Sequence, residues 1–218
     1  HCTNQSRISN GCRIQRISVY NRNLLHSVRF ILLDEPGFPM NIFYLDSDPK
    51  LCAEWAVDKH VVKMILESAQ LLSTAHRVLD GVETVGVSAG GLRKKKIWLL
   101  NDSRNDTLYS ATHINHPSAV WTRQSNNNYN WLWCYLYEHC KEYTYRYGKV
   151  HKVERDGILD MLRTPPSNIK IGHKSMPPQA MPDEYKCGNT VLAYRNYYKH
   201  GKAHLHSWKN REAPDWIY

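Results

Sequence analysis

The sequence lacks a long uninterrupted apolar run. A membrane-spanning helix needs about 20 apolar residues, and the stretch at 24–33 is broken by His26, Ser27 and Arg29. Phenylalanine is also scarce, with 3 residues against 7 Trp and 14 Tyr. We therefore predict a soluble protein without a membrane span, whose amphipathic rings suit grooves and base-stacking surfaces.

Regular cysteine spacing is missing too. The six cysteines contain no CxxC pair, which argues against a zinc ribbon and against a disulfide framework. We therefore predict a protein of the reducing cytoplasm that needs no cofactor.

Acidic residues are in deficit, at 20 Asp and Glu against 29 Lys and Arg over 218 residues. The resulting charge of +9 suggests an anionic partner, nucleic acid first and a membrane surface second. Hydrophobic residues make up 42% and charged residues 22%. This is ordinary globular usage, and it excludes wholesale disorder, collagen-like repeats and a coiled coil.

The character of the chain changes at Met40. Residues 1–39 hold five Arg, no Lys and two acidic residues, with neither a helical period nor strand alternation. The remaining 179 residues keep 24 basic and 18 acidic side chains, a charge of +6, so the basic character belongs to them. We predict that residues 1–39 are an N-terminal extension, either a read-through product or a disordered leader, and that residues 40–218 form one domain.

Local patterns in residues 40–218 predict a mainly α, single helical domain with one short N-terminal strand. The strand covers residues 41–45, and Asp48 and Pro49 follow as the N-cap and first residue of a helix. Residues 164–188 carry five prolines and few periodic apolar positions, so they predict a long loop.

A long helix is predicted from Asp58 to Arg77, a run without Gly or Pro that is followed by Gly81 as a stop. At 100° per residue, six polar side chains share an arc of about 100°, while the other positions are mostly apolar or small. These six residues, here called the polar stripe, are His60, Lys63, Glu67, Gln70, Thr74 and Arg77. The stripe either faces solvent through a narrow window or lines an internal cleft.

Within the stripe, Glu67 lies four residues after Lys63 and seven after His60. Either basic side chain can hold the carboxylate ionised or share its proton, which is what a general base needs. We predict a catalytic cleft that the stripe shares with residues 113–116. A stripe spread over open convex surface would favour the purely structural alternative.

A second polar cluster, residues 112–116, precedes Pro117, where a helix N-terminus can hold a phosphate. Arg123 adds a cation a few residues later. His113 and His116 would also suit a metal ion. No carboxylate or cysteine recurs at ligand spacing, so we predict no metal site.

Aromatic residues dominate the segment from Asn130 to Tyr147. Helical spacing and the terminal Gly148 predict a second long helix with most of its rings in the core. The asparagine run at residues 126–128 predicts a break between this helix and the short one before it.

The last predicted helix, residues 190–199, mixes rings with cations. Tyr194, Arg195 and Lys199 are side chains of the kind that contact a single strand or a flipped base. The structural alternative is a terminal helix that packs its tyrosines on the domain.

Six segments together resemble a family of small proteins found in phages and marine viral sequences, over Met40 to Tyr218. The segments are MNIFYLDSDP, DKHVVKM with AQLLSTAHR, HPSAVW, YRYGKVH, QAMPDEYK and AYRNYY. Some members of that family carry a label that links them to pyrimidine-dimer DNA glycosylases of the endonuclease V type. The resemblance implies a basic helical domain that acts on double-stranded DNA in the host cytoplasm.

That enzyme class uses an N-terminal α-amine as nucleophile, with a His and, seven residues later, a catalytic Glu on its first helix. Asn41, His60 and Glu67 would match these positions. The Asn41 amine is not free behind the upstream extension, and the arginine that flanks the catalytic Glu in that class has no counterpart here. Lys63 or Lys59 would then have to serve as the nucleophile.

The sequence thus favours a DNA glycosylase and abasic-site lyase. Glu67 would be the general base or oxocarbenium stabiliser, with His60 as its hydrogen-bond partner. Lys63 or the Asn41 amine would be the nucleophile. The predicted DNA and phosphate contacts are Arg77, His116, Arg123, Arg195, Tyr194 and Lys199, and the rings that would refill the gap left by a flipped base are Trp121, Tyr194 and Tyr197. The alternatives are a nucleotide- or base-modifying phage enzyme and a non-catalytic nucleic-acid-binding protein.

Overall fold

A computed structural model of the chain describes residues 40–87 and 94–218. The fold is mainly α, with one small antiparallel sheet. Its α-helices are α1 (Pro49–Glu54), α2 (Asp58–Asp80), α3 (Arg104–Thr107), α4 (Pro117–Thr122), α5 (Asn126–Tyr147), α6 (Lys152–Arg155), α7 (Ile158–Met161) and α8 (Thr190–Asn196). The strands are β1 (Val82–Val87) and β2 (Lys94–Leu99), and short turns of other helix types lie at Asp183–Tyr185, Tyr197–Gly201, Ala203–Leu205 and Asp215–Ile217. The predicted extension, residues 1–39, lies outside the described residues.

The core is organised around α2, which packs against α4 and α5, while α5 also packs against α1. Gly81 ends α2 as the sequence predicts. Four residues of the polar stripe are buried, and the other two, Lys63 and Gln70, are half-buried. The stripe therefore does not lie on an open convex surface.

Two helix ends form as their sequences predict. The Asp48 carboxylate accepts the backbone N–H of Lys50 at 2.9 Å, and Pro49 occupies the first helical position. At the far end of α5, Gly148 has a φ of +63° and its N–H bonds to Thr144 O at 2.8 Å. A glycine fits there because a side chain would strain a left-handed backbone.

The strand predicted for residues 41–45 is not confirmed, since the structure assigns no strand there. All five side chains are buried, so the alternation of a half-buried strand is absent. The backbone N–H of Asn41 bonds to the carboxylate of Glu67, and that of Ile42 bonds to Asn41 Oδ1. The segment satisfies these N–H groups with side chains instead of a neighbouring strand.

α5 begins four residues earlier than predicted, at Asn126. Ser125 is its N-cap and accepts the N–H of Asn128 at 3.2 Å. The predicted break between the two helices is present at residues 123–125, while the asparagine run forms the first turn of α5. The Asn128 amide donates to Trp121 O at 2.9 Å and so bonds this first turn to α4. Asparagine favours helix starts because its side chain bonds to nearby backbone groups.

The rings of α5 divide between its two faces, so the prediction that most are in the core holds only in part. Trp131 and Tyr135 are buried, whereas Tyr137 and Tyr145 are exposed. The reason is geometric: a spacing of two residues turns a helix by about 200°, which places alternate rings on opposite faces. On the outer face, Trp133 and Tyr137 stack with centroids 5.5 Å apart.

β1 and β2 form an antiparallel ribbon in a segment for which the sequence pattern predicts no strand. Val82 pairs with Leu99, and Val87 pairs with Lys94. Both strands are largely exposed on both faces. A ribbon without a buried face needs no apolar–polar alternation, and this removes the usual sequence signal for strands.

Residues 164–182 form neither helix nor strand. Their first part is fixed to the end of α2, because the Asp80 carboxylate accepts the N–H groups of Ser167 and Asn168 at 2.9 and 3.0 Å.

Within residues 40–87 and 94–218, no helix combines the length and the apolar composition that a membrane span requires.

Three carboxylates that join distant segments have pKa values below their ordinary range: Asp58, Asp80 and Glu142. In each case burial alone would raise the pKa. Hydrogen bonds outweigh this effect, donated to Asp58 and Glu142 by Arg146 among others, and to Asp80 by Arg104. All three groups therefore stabilise the fold in their ionised form.

We expect the protein to lose stability in acid. A carboxyl group with a lowered pKa in the folded state stabilises it fully above the unfolded pKa, near 4, and loses that contribution as the pH falls through the folded pKa. The urea midpoint, measured from pH 7 to pH 2.5, should therefore fall steeply below about pH 4.5. The urea midpoint of the Asp80→Asn variant should fall less steeply over the same range. A wild-type midpoint that is flat between pH 5 and pH 3 would contradict the expectation.

Candidate active site

Glu67 lies at the centre of the candidate site. It is only 6% exposed, on the inner side of α2. Lys63 Nζ lies 3.6 Å from Glu67 Oε1, one helical turn away. Glu67 Oε2 accepts the backbone N–H of Asn41 at 3.1 Å. The carboxylate is therefore held between a primary amine and a backbone nitrogen that is 26 residues away in sequence.

Asn41 connects Glu67 to the C-terminal part of the chain. Its side-chain amide donates to Ala180 O at 2.9 Å. The Tyr194 hydroxyl, on α8, lies 2.8 Å from Asn41 Oδ1 and 2.8 Å from Pro178 O, and shares its proton between these two acceptors. Burial raises the pKa of Tyr194 above its ordinary value, so its hydroxyl stays protonated at neutral pH and can donate.

His60 is buried one turn before Lys63 and bonds to Tyr198. The Tyr198 hydroxyl accepts the N–H of Val57 at 3.2 Å and lies 2.7 Å from His60 Nδ1. We assign it as donor to Nδ1, which puts the imidazole proton on Nε2. The ring of Phe43 stacks on His60 at 4.1 Å.

His60 is neutral at physiological pH. Burial, followed by the positive charges of Lys63 and Lys202, lowers the pKa of His60 well below 6.5. Of the two roles that the sequence leaves open for His60, to hold the Glu67 carboxylate ionised or to share its proton, a neutral imidazole suits the second. A neutral imidazole can still accept or donate a proton during a reaction.

Lys202 belongs to this site, although the sequence pattern does not single it out. It is only 9% exposed, and its ammonium lies 5.2 Å from the centre of the Tyr197 ring. Among the described residues, Lys202 makes no ion pair. Its N–H bonds to Tyr197 O at 3.0 Å and closes the π-helical turn Tyr197–Gly201, a rare geometry that is frequent at functional sites.

Gly201 is the sequence signal that could have pointed to this turn. A Cβ added there would lie 2.5 Å from Cδ2 of Tyr197, so only glycine fits beneath the ring. A Gly–Lys pair directly after an aromatic helix is weak evidence by itself, because glycine also ends ordinary helices.

The segment at 112–116 lies against the C-terminal half of the stripe. Thr74 Oγ1 accepts the N–H of Thr112 at 3.2 Å and lies 3.4 Å from its carbonyl oxygen. His116 is the N-cap of α4, and its Nδ1 accepts the N–H of Ser118 at 3.2 Å. Burial lowers the pKa of His116, so this helix end carries a neutral cap.

Arg77 is fully engaged within the fold. Its five N–H groups donate to Tyr109 O, Trp98 O, Leu108 O and both oxygens of Asn105, at 2.6 to 3.2 Å. No donor is left for a phosphate in this conformation. Arg77 thus joins α2 to β2, to α3 and to the residues directly after α3, and we leave it out of the DNA contacts proposed below.

Arg195 and Lys199 also have partners within the chain. Arg195 donates to Leu45 O at 2.8 Å and to Asp46 Oδ2 at 3.0 Å, and Lys199 Nζ bonds to the carbonyl of Tyr218. Arg195 lies on α8 and Lys199 in the π-helical turn that follows it, and both side chains bond to other parts of the fold. The structure does not bring them to Glu67 by any contact.

Arg123 is the predicted phosphate contact that keeps free donors. Among the described residues it makes no ion pair, and its Nη1 is buried without a hydrogen-bond partner. The rings predicted to refill a flipped-out base, Trp121, Tyr194 and Tyr197, are all buried in the core. Any of them would have to leave the core to enter a DNA duplex.

The chemistry of the site is that of a buried carboxylate, a primary amine and a neutral imidazole. Within residues 40–87 and 94–218, no three His, Cys, Asp or Glu side chains lie together as ligands for a metal ion.

Comparisons with protein-family models, with curated proteins and with solved structures found no match to this chain. The relation to the DNA glycosylases therefore stays a prediction from resemblance.

Proposed function

We propose that this protein is a base-excision enzyme, a DNA glycosylase and abasic-site lyase that acts on double-stranded DNA. The observation that carries the proposal is the buried Glu67 carboxylate between the amine of Lys63 and the backbone nitrogen of Asn41. A lyase of this type needs an amine nucleophile beside a carboxylate that accepts protons and stabilises a positively charged sugar. These groups meet here across 26 residues of sequence.

In the chain as it stands, Lys63 is the amine that can react. Lys63 first gives one proton to Glu67, and its Nζ then forms a bond to C1′ of the target nucleotide as the C1′–N glycosidic bond breaks. The base leaves with that electron pair and takes up the proton from Glu67. Glu67, again ionised, accepts the second proton that the nitrogen loses after the attack. Opening of the sugar ring then gives an iminium between Lys63 and C1′, as O4′ takes up the proton held by Glu67. Glu67 next accepts the C2′ proton as the C3′–O bond breaks and the 3′ phosphate leaves.

Asn41 is the alternative nucleophile that the resemblance implies. Its nitrogen is an amide in the intact chain, and an amide does not attack C1′. Cleavage between Met40 and Asn41 would turn the same nitrogen, now 3.1 Å from Glu67 Oε2, into an α-amine beside the carboxylate. Both versions of the proposal therefore depend on Glu67.

Borohydride trapping tests the proposal, because it reduces the iminium to a stable amine. The full chain is incubated with duplex that contains one abasic site or one pyrimidine dimer, and the adduct is digested to locate the modified residue. We expect the adduct on Lys63, and a decrease of at least about 100-fold in Lys63→Arg. Lys50→Arg is the matched control, because Lys50 is exposed on α1 and also pairs with a glutamate one helical turn away. Lys59, the other lysine considered as nucleophile, is exposed, so Lys59→Arg should also match the wild type.

The position of the adduct discriminates between the two nucleophiles. An adduct on the Asn41 nitrogen would show that Asn41, and not Lys63, is the nucleophile. The protein would still be a glycosylase and lyase. Absence of any adduct, with intact DNA after long incubation, would overturn the lyase proposal.

A non-catalytic nucleic-acid-binding protein is the second candidate. It is favoured by the partners that His60, Thr74 and Arg77 have within the chain, because these polar groups then serve the fold. Such a protein would bind duplex DNA with steep salt dependence and leave every strand intact.

A further inference from the structure

The β1–β2 ribbon follows α2 in the chain and carries three exposed basic side chains. Lys94, Lys95 and Lys96 are consecutive and all exposed. Lys96 pairs with Glu83 at 2.8 Å, while Lys94 and Lys95 have no ion pair among the described residues. The described part of the ribbon therefore presents an uncompensated charge of about +2, which attracts a polyanion.

The basic residues lie on both faces of the ribbon. Lys94 and Lys96 pair with Val87 and Val85 on one face, and Lys95 lies on the other, because successive side chains of a strand alternate. Exposed aliphatic side chains also lie on both faces: Val85 and Val87 on the first, Val82 and Leu99 on the second. A flat lipid surface would favour one apolar face, whereas a DNA groove has phosphates along both of its walls and also accepts aliphatic contacts.

The base of the ribbon is hydrogen-bonded to α2 directly and through Asn105, which also accepts from Arg77. Arg77 donates to Trp98 O at 2.9 Å, and the N–H of Leu100 bonds to Asn105 Oδ1 at 3.1 Å. Arg77 is ten residues after Glu67, about 15 Å along a helix. That distance corresponds to roughly 4 to 5 base pairs of duplex at 3.4 Å each.

We propose that the ribbon binds the phosphate backbone of duplex DNA along a groove, through Lys94, Lys95 and Lys96. The two-stranded width suits a major groove, which admits a β-ribbon. The choice of duplex DNA as the partner rests on the proposed function. The contact itself concerns binding only and needs no chemistry at Glu67.

The test is the salt dependence of binding between the full chain and an undamaged duplex. The variant Lys94→Gln/Lys95→Gln/Lys96→Gln is compared with a control of equal charge change at three exposed lysines that have acidic partners: Lys50, Lys141 and Lys186. Each lost phosphate contact lowers the slope of log K against log salt by about 0.9. We expect the ribbon variant to lose about 2 to 3 units of slope and at least tenfold in affinity near 0.1 M salt, and the control to lose much less.

Equal slopes for the two variants would overturn the proposal. A ribbon variant that keeps its DNA affinity but loses binding to vesicles with anionic lipid would overturn it in favour of a membrane surface. Borohydride trapping on the same samples separates this proposal from the proposed function. A changed slope without any wild-type adduct supports DNA binding by the ribbon and refutes the lyase proposal. An adduct with unchanged slopes supports the lyase proposal and refutes DNA binding by the ribbon.

Discussion

Replacing Glu67 with glutamine is expected to lower base excision and iminium trapping by about 100-fold or more. Glutamine keeps an acceptor oxygen for the Asn41 N–H but can neither take up a proton nor balance a positive sugar. Duplex affinity should stay the same or tighten slightly, because a negative charge is removed near a polyanion. The measurement is single-turnover cleavage of a duplex with one pyrimidine dimer and of an abasic duplex, both at saturating protein, together with an equilibrium binding curve.

Glu138→Gln is the matched control. Glu138 is also a helical carboxylate that pairs with a lysine, Lys141, at 3.3 Å, but it lies on α5 away from Asn41. The Glu138→Gln variant should cleave the duplex at the wild-type rate. Full activity in Glu67→Gln would refute the role of this carboxylate, and an equal loss in both variants would point to a general effect on the fold.

Replacing Arg146 with methionine is expected to destabilise the protein by about 3 to 5 kcal/mol. Arg146 is fully buried in α5 and donates to Glu142 Oε1 at 2.6 Å and to Asp58 Oδ1 at 2.9 Å. It also donates to the carbonyls of Ala56 and Glu54. Methionine fills most of the volume but leaves these buried acceptors without their donor. Urea unfolding at neutral pH measures the loss.

Arg155→Met controls for the chemistry of the substitution. Arg155 is exposed and donates to its neighbour Asp156 at 2.9 Å. Exposed ion pairs contribute little, so we expect a change within about 0.5 kcal/mol. A destabilisation of Arg146→Met below about 1 kcal/mol would show that the buried network adds little to stability.

Arg146 also shows why the sequence did not reveal the arrangement of the core. Its i,i+4 pair with Glu142 follows from helical spacing. Its bonds to Glu54 in α1 and to Asp58 at the start of α2 span 92 and 88 residues, and no local pattern indicates them. Arg77 is a second example. Helical spacing assigns it to the polar stripe, but no local pattern indicates the bonds by which it joins α2 to β2 and to α3.

The sequence by itself determined the helical class, the start of α1, the ends of α2, the C-terminal end of α5, and the alignment of His60, Lys63 and Glu67 on one face of α2. These follow from local rules of capping, glycine conformation and helical period. Only the tertiary structure decided which groups face Glu67: it brought Asn41 to the carboxylate and directed the donors of Arg77 and Arg195 into the fold. The physical reason is that a buried donor bonds to whichever acceptor the packing brings near, and that acceptor is usually distant in sequence.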